Sequence, residues 1–557
     1  MSEYHNLDEI ISQGESLETE FKSDKQILSD KEIYEVVIGL ANTKGGRLFI
    51  GIENNGEKTG LNPTRFKDER WFDRIRFAIR NNTTPSIDVK CEYIRGDNYF
   101  VINVPKAKGD LHYSKKGVCY HRVLKFDGPE NVPMQPHQVI SKLGSLGNHD
   151  FSNQEFQDAS FNDLDIVEFA RLKNLIQKRS PTDPLLTLSD EEIAKGLEFV
   201  KTDENGNLKP TLTGILLVGK EASIQKFVPT HELAFQVIDE DLNPKVNKFF
   251  KKPILALLEE ISSLFNGYNQ EKEISLGFQR ISIPNYSPNA FREAVLNALV
   301  HRDYAINQSI YIKFEPEQLK ITNPGGFIEG ITLENFITHE PKPRNRQLAE
   351  VCQRIGLVER IGRGIDKIFL EQLRFGRRAP DYSSTDNETV RVVLPGCESN
   401  LNFVKFVVEK NIINVYELLI LSTLQDQKNL NLKEVSKLIQ NTQAATKKIL
   451  YDLISKNFIV IKKGKDYMLS PWVYKQLKKL DEYIHLSGFD SIQQETMILQ
   501  YIAENGSITR QSIEALCNIP KQTAIRRIKK LIGEGKIDAV SNGRSRKYCL
   551  KSNKYDT

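Results

Sequence analysis

Apolar residues along this chain repeat with the period of helices in some stretches and of strands in others, and the changes divide it into four blocks. In the first, residues 1–145, Val36, Val37, Ile38 and Leu40 give the stretch from Tyr34 to Ala41 a helical pattern. Gly45 and Gly46 then lead into the apolar run Leu48-Phe49-Ile50, the signature of a turn feeding a buried strand. Residues 146–160 are polar and predict a linker. The block 161–398 alternates: a strand is predicted over 212–219, a helix over 290–300, a strand over 311–321 and another over 390–394, with Pro324-Gly325-Gly326 as a turn. Residues 405–480 and 490–552 each repeat one plan of helix, turn, helix, turn, helix and a short basic hairpin. The pattern predicts a multidomain α+β protein whose N-terminal domain is a mixed α/β unit.

Composition changes this picture little. The chain has 557 residues and is 39% hydrophobic and 27% charged, with a formal net charge of +4. That near balance means any surface that attracts nucleic acid must be a local cluster. Six cysteines are scattered without metal-ligand spacing, as expected of thiols in a reducing compartment. The N-terminus lacks a secretory pattern and the longest apolar runs are short, so a soluble cytoplasmic protein is expected.

Candidate chemistry begins with acids. Glu15 and Glu20 are five apart, with Lys22 nearby, and Glu53 follows the Gly51-Ile52 strand end. Three carboxylates converging at a strand edge hold a divalent cation and set a water against a phosphodiester; the same acids also serve as a solvated surface paired with Lys22, Lys25 and Arg47. The motifs ESxxxEFK and ANTxGGxLxIGI together resemble the Schlafen-type AlbA-2 domain over about the first 130 residues. That resemblance implies nucleic-acid binding and, in some members, endoribonuclease activity carried by positions matching Glu15, Glu20 and Glu53. The third acid here is Glu where the nuclease pattern has Asp.

A second constellation lies in the third quarter of the chain. Glu293 and Asn297 are four apart on a predicted helix and share one face. An amide oxygen there ligates Mg²⁺ and a carboxylate polarises a water. Asn323-Pro324-Gly325-Gly326 ends a predicted strand, and Gly362-Arg363-Gly364 opens a predicted helix. In this order the three motifs resemble the gyrase, chaperone, histidine-kinase and mismatch-repair (GHKL) ATPase superfamily, in a divergent branch often labelled as related to a RecG-like helicase. The resemblance implies an α/β sandwich, with ATP and Mg²⁺ as cofactors. Asn297 would be the Mg²⁺ ligand, Glu293 the water-activating base and Asn323 the adenine contact. Gly325, Gly326, Gly362 and Gly364 would shape pocket and lid, and Arg363 would meet a phosphate. His301-Arg302-Asp303 is read as helix-end packing in preference to a proton relay.

The C-terminal block carries the clearest basic face. Ala524, Ile525, Ile528, Leu531 and Ile532 form a helical stripe, opposite Lys521, Gln522, Thr523, Arg526, Arg527, Lys529 and Lys530. A hairpin tip with Arg544, Arg546 and Lys547 follows. The unit resembles a winged helix-turn-helix, which implies base contacts from Gln and Thr and phosphate contacts from Arg and Lys. The preceding unit, with Lys447 and Lys448 on its third helix and a tip at 462–465, resembles it with less basic charge, so the two form a tandem. The reading is an ATP- and nucleic-acid-binding regulator, DNA being the expected target, that works as a homo-oligomer. Its rivals are an ATP-gated nuclease of stress or phage defence and a non-catalytic protein-binding scaffold.

Overall fold

A computed structural model describes residues 4–67, 70–126, 128–147, 149–276, 279–358, 364–396, 400–461, 466–478, 491–517, 519–540 and 546–551. The chain divides into two compact units. The first comprises Met1–Gln270, Pro284–Ile368 and Pro380–Gly396; the second comprises Glu271–Ile283, Phe369–Ala379 and Cys397–Thr557.

The N-terminal part of the first unit is built on a four-stranded sheet, in the order Thr19–Lys22, Gly46–Ile50, Tyr99–Val104, Lys90–Ile94. The first pair is parallel and the others are antiparallel. Because side chains alternate across a strand, Leu48, Ile50, Phe100 and Ile102 join the helices Asp30–Thr43 and Trp71–Asn82 in one core. Phe21, Phe49 and Val101 point the other way, into a second core with Ile11 of the helix Tyr4–Gln13. Each such side chain contributes roughly 1.5–3 kcal/mol on burial. The predicted helix at Tyr34 starts earlier, at Asp30, because Ser29 and Glu32 form a capping box there.

The central part carries a five-stranded sheet, in the order Pro244–Phe250, Leu233–Ile238, Ile310–Glu315, Gln318–Pro324, Thr389–Pro395. Leu233–Ile238 and Ile310–Glu315 run parallel; the other pairs are antiparallel. Ile310, Ile312 and Phe314 are buried. Phe265 of the helix Ile254–Tyr268 stacks at 4.0 Å on Phe291 of the helix Pro288–His301 and lies 5.9 Å from Phe314.

Three expectations fail here. The strand predicted over 212–219 is a helix, Leu212–Val218, started by Thr211, whose hydroxyl accepts from the Gly214 N–H. All seven of its residues are buried, so the run showed no helical period to read. The strand predicted over 311–321 is a hairpin of two strands turning at Pro316 and Glu317. The predicted linker is packed structure: Ser152 is fully buried and Asp150 accepts from the backbone N–H of Gln347 at 2.7 Å.

In the second unit, residues 400–478 form the helices Leu401–Glu409, Val415–Gln427, Leu432–Leu438 and Gln443–Ser455, a hairpin of Ile459–Ile461 with Tyr467–Leu469, and the helix Pro471–Gln476. Residues 491–551 form the helices Ser491–Asn505, Arg510–Cys517 and Lys521–Gly533. Three short strands accompany them, ordered Ile508–Thr509, Lys547–Leu550, Ile537–Ala539. Ile498, Ile502, Ile513, Ala524, Ile528 and Leu531 make their core. Among the described residues no helix is long and apolar enough to cross a membrane.

Candidate functional site

A cavity of about 250 Å³ opens in the central part of the first unit, and Glu293, Asn297, Asn323, Gly325, Gly326 and Gly364 all line it. Gly362 and Arg363 lie outside the described residues. Pro288 and the Ser287 cap start the helix Pro288–His301, which carries Glu293 and Asn297 one turn apart. Asn323 is the next-to-last residue of the strand Gln318–Pro324 and lies on its buried side, in alternation with Leu319 and Ile321. It is 5% exposed, and its Oδ1 has no hydrogen-bond partner. An acceptor buried without a donor costs roughly 1–3 kcal/mol, so Asn323 is set to receive a donor from whatever enters.

The remaining wall is apolar at Ile321, Ile328, Phe336 and Val392, and polar at His339, Lys342, Asp366 and Lys367. A small number of polar groups in an apolar cleft is the composition of a small-molecule site. Sequence reading missed this second set. The Pro341-Lys342-Pro343 segment carries no periodicity, and Tyr382, another lining residue, is isolated in a loop. Burial raises the Tyr382 hydroxyl pKa, and the nearby charge of Glu293 raises it further.

Arg302 and Asp303 serve the helix end, whereas His301 lines the cavity. Burial, helped by the charge of Arg344, pushes His301 down to about 4, so it is neutral. Arg302 is fully buried and donates to the carbonyls of Thr230 and Gln308. Asp303 accepts from the Ser141 hydroxyl and pairs with Arg344 at 3.3 Å; Arg344 in turn donates to the Gly326 carbonyl at 3.0 Å. Gly325 has φ +95°, and a Cβ built on it would stand 2.7 Å from Cβ of Asp303. The turn beside the cavity is thus held from behind by an ion pair.

Glu15 and Glu20 lie close enough for the charge of Glu20 to help raise the pKa of Glu15, whereas Glu53 has a different set of partners. Glu20 is 4% exposed, ion-paired with the buried Arg122 and with Lys22, the latter at 2.6 Å. Glu15 accepts from the Phe21 backbone N–H at 2.8 Å, and burial raises its pKa despite that bond. Glu53 sits with Ser23, Thr59 and Lys25, at 2.8, 2.6 and 3.4 Å. Those three partners hold its carboxyl below the usual range, Thr59 first. Among the described residues no group of three His, Cys, Asp or Glu side chains could hold a metal. Arg122, far away in sequence, is the partner that sequence reading did not find.

On the helix Lys521–Gly533 the structure sorts the basic side chains. Lys521, Gln522, Arg526 and Lys529 are exposed, and Thr523 is partly so. Arg527 is turned inward, its side chain 14% exposed, donating to Gln494 Oε1 at 2.8 Å. Lys530 pairs with Glu495 at 2.6 Å and with Glu534 at 3.5 Å. These two basic groups fasten the helix to Ser491–Asn505. Arg546 and Lys547 lie at the start of the last strand, while Arg544 and the other unit's tip at 462–465 lie outside the described residues. On the helix Gln443–Ser455, Lys447 and Lys448 are exposed.

Fold and site together define a multidomain α+β protein with a cavity in its first unit and an exposed basic helix near its C-terminus. Known families match it in the same order. Residues 15–129 match the family "Schlafen, AlbA_2", and residues 145–234 a domain of unknown function (DUF8451). Residues 307–394 match HATPase_c_4, described as "Putative ATP-dependent DNA helicase recG C-terminal". Residues 490–551 match "Transcriptional regulator DIP2311-like, C-terminal domain". The crystal structure of the DIP2311 protein from Corynebacterium diphtheriae matches with 21% identity and a TM-score of 0.49, covering 98% of this chain and 99% of that one. No curated protein matches the chain.

Proposed function

We propose that this protein is a transcriptional regulator that binds Mg-ATP in its central cavity and DNA through its C-terminal helices, the nucleotide state controlling how its domains associate. The observation that carries the nucleotide half is the lining of one cavity by Glu293, Asn297, Asn323, Gly325, Gly326 and Gly364, which are far apart in sequence. The chemistry of these groups fits the ligand. Asn323 Oδ1 is a buried acceptor without a donor, suited to an exocyclic amine. The Asn297 amide oxygen is a hard ligand for Mg²⁺, and the Glu293 carboxylate one turn away can accept a proton from water. The match of residues 307–394 to HATPase_c_4 supports the same reading, as does the central sheet with helices packed on one face, the layering of a GHKL-type sandwich. When bound, Mg-ATP would supply a polyphosphate whose charge the metal partly neutralises.

For the DNA half, helix, strand, two helices and two antiparallel strands over 491–550 follow in the order of a winged helix-turn-helix, and the match of 490–551 to a regulator's C-terminal domain points the same way. Gln522 and Thr523 are suited to base edges; Lys521, Arg526, Lys529, Arg546 and Lys547 are suited to phosphates. The second partner class is RNA, through the Schlafen-type domain. The protein acts as a homo-oligomer, so that two copies offer two recognition helices to a two-fold site.

Titration calorimetry of the full chain with Mg-ATP tests the proposal. Binding is expected for the wild type and its loss for Asn297→Ala; unchanged affinity in that variant overturns the pocket assignment.

A further inference from the structure

The helix Pro136–Leu146, which follows the last strand of the N-terminal part, packs on the rim of the cavity. Ser141 donates to Asp303, and the Ser145 carbonyl accepts from the Glu329 N–H at 3.1 Å. Lys106 of the N-terminal part pairs with Glu329 at 3.0 Å. Lys342 belongs to both sides: it lines the cavity, and its ammonium donates to the carbonyls of Leu146 at 3.5 Å and Glu329 at 3.3 Å. Leu146 is the last residue of its helix, so Lys342 stands at the negative end of the helix dipole.

Both bonds are long and run to neutral carbonyls. Phosphate oxygens would offer the same ammonium a full negative charge as well as shorter hydrogen bonds. Four basic groups gather where this helix meets the rim, Lys106, Lys142, Lys342 and Arg344. Lys106 and Arg344 are matched by Glu329 and Asp303, whereas Lys142 and Lys342 have no ion-pair partner among the described residues. Burial first, then the charges of Lys106 and Arg344, lowers the pKa of Lys142, and the carboxylate of Glu329, already paired with Lys106, offsets this only in part.

We infer that Lys342 is a switch residue: a polyphosphate in the cavity draws its ammonium off the end of the Pro136–Leu146 helix and so reports occupancy to the N-terminal domain. This rests on the nucleotide reading above and adds the direction of signalling. The ligand class it requires is a phosphorylated one, since an uncharged nucleoside gives Lys342 no reason to move.

Hydrogen exchange on the full chain tests it, with Mg-ATP, adenosine and tripolyphosphate as separate probes and calorimetry in parallel. Mg-ATP should speed exchange in the last turn of Pro136–Leu146 by about two- to fivefold, the value of one cation at a helix end. Adenosine should leave that turn unchanged; tripolyphosphate, if it binds, should speed it too. Lys342→Gln should exchange fast there without ligand and show no further rise, and Lys342→Arg should restore the response. Mg-ATP that binds by calorimetry without altering exchange over 136–147 overturns the switch and leaves the nucleotide reading standing. Absence of any Mg-ATP binding overturns both.

Discussion

A Cβ placed on Gly364 would stand 2.3 Å from Oε1 of Glu293 and 3.3 Å from Nδ2 of Asn297. The first residue of one helix is thereby pressed against the polar face of another, with both inside the same cavity. No side chain fits at that distance unless the carboxylate moves.

Gly364→Ala should therefore displace Glu293 and lower Mg-ATP affinity at least about tenfold, equivalent to about 1.4 kcal/mol. Calorimetry reads the affinity, and circular dichroism checks that the fold survives. An affinity equal to the wild type's would mean that the cavity does not place nucleotide against this helix.

Glu20 and Arg122 make the second test. Removing one partner of a buried ion pair strands the other charge, so Glu20→Ala should destabilise the N-terminal domain by about 3–5 kcal/mol. Trp71 lies in that domain's core, and denaturant unfolding followed by its fluorescence in a Trp472→Phe background isolates the transition. Glu53→Ala, on a partly exposed carboxylate bonded to Ser23 and Thr59, should lower the transition by much less. Equal midpoints for Glu20→Ala and wild type would show Glu20 free for other chemistry.

Neighbouring arginines should separate DNA contact from packing. Arg526→Ala is expected to weaken duplex binding and to reduce the slope of log affinity against log salt by about 1, without loss of stability. Arg527→Ala should lower the melting temperature of the C-terminal domain, because it loses the bond to Gln494. The reverse pattern would place the DNA face elsewhere.

His231 predicts acid sensitivity in the central part. It is 1% exposed, contacts the Lys252 carbonyl at 2.9 Å, and burial pushes its pKa from 6.5 down to about 4. The unfolded chain thus binds this proton more readily than the folded one. The stabilisation, about 3 kcal/mol, is complete above pH 6.5 and is lost as pH falls from 6.5 towards 4. Denaturant midpoints between pH 4 and 8 should fall on the acid side, and His231→Gln should flatten that slope. Parallel curves for the two proteins would remove His231 from the account.

Legibility differed from element to element for physical reasons. The helix at 290–300 was readable because Arg292, Glu293 and Asn297 break its apolar run at helical spacing; the helix at 212–218 was not, since every one of its residues is buried and burial on all sides erases the period. Glu293, Asn297, Asn323 and the glycines were readable as ordered short motifs. Lys342, Tyr382 and Arg122 were not, because each meets its site through contacts distant in sequence.

By itself, then, the sequence determined the residues of the cavity that lie in motifs and the basic helix near the C-terminus, both of which follow from local spacing. Tertiary structure alone decided which charges are spent. It turned Glu20 towards Arg122, Arg527 and Lys530 towards the first helix of their domain, and left Arg526 and Lys529 facing outward. The reason is that a charge's role depends on what faces it, and for these residues the partners come from elements brought together only by folding.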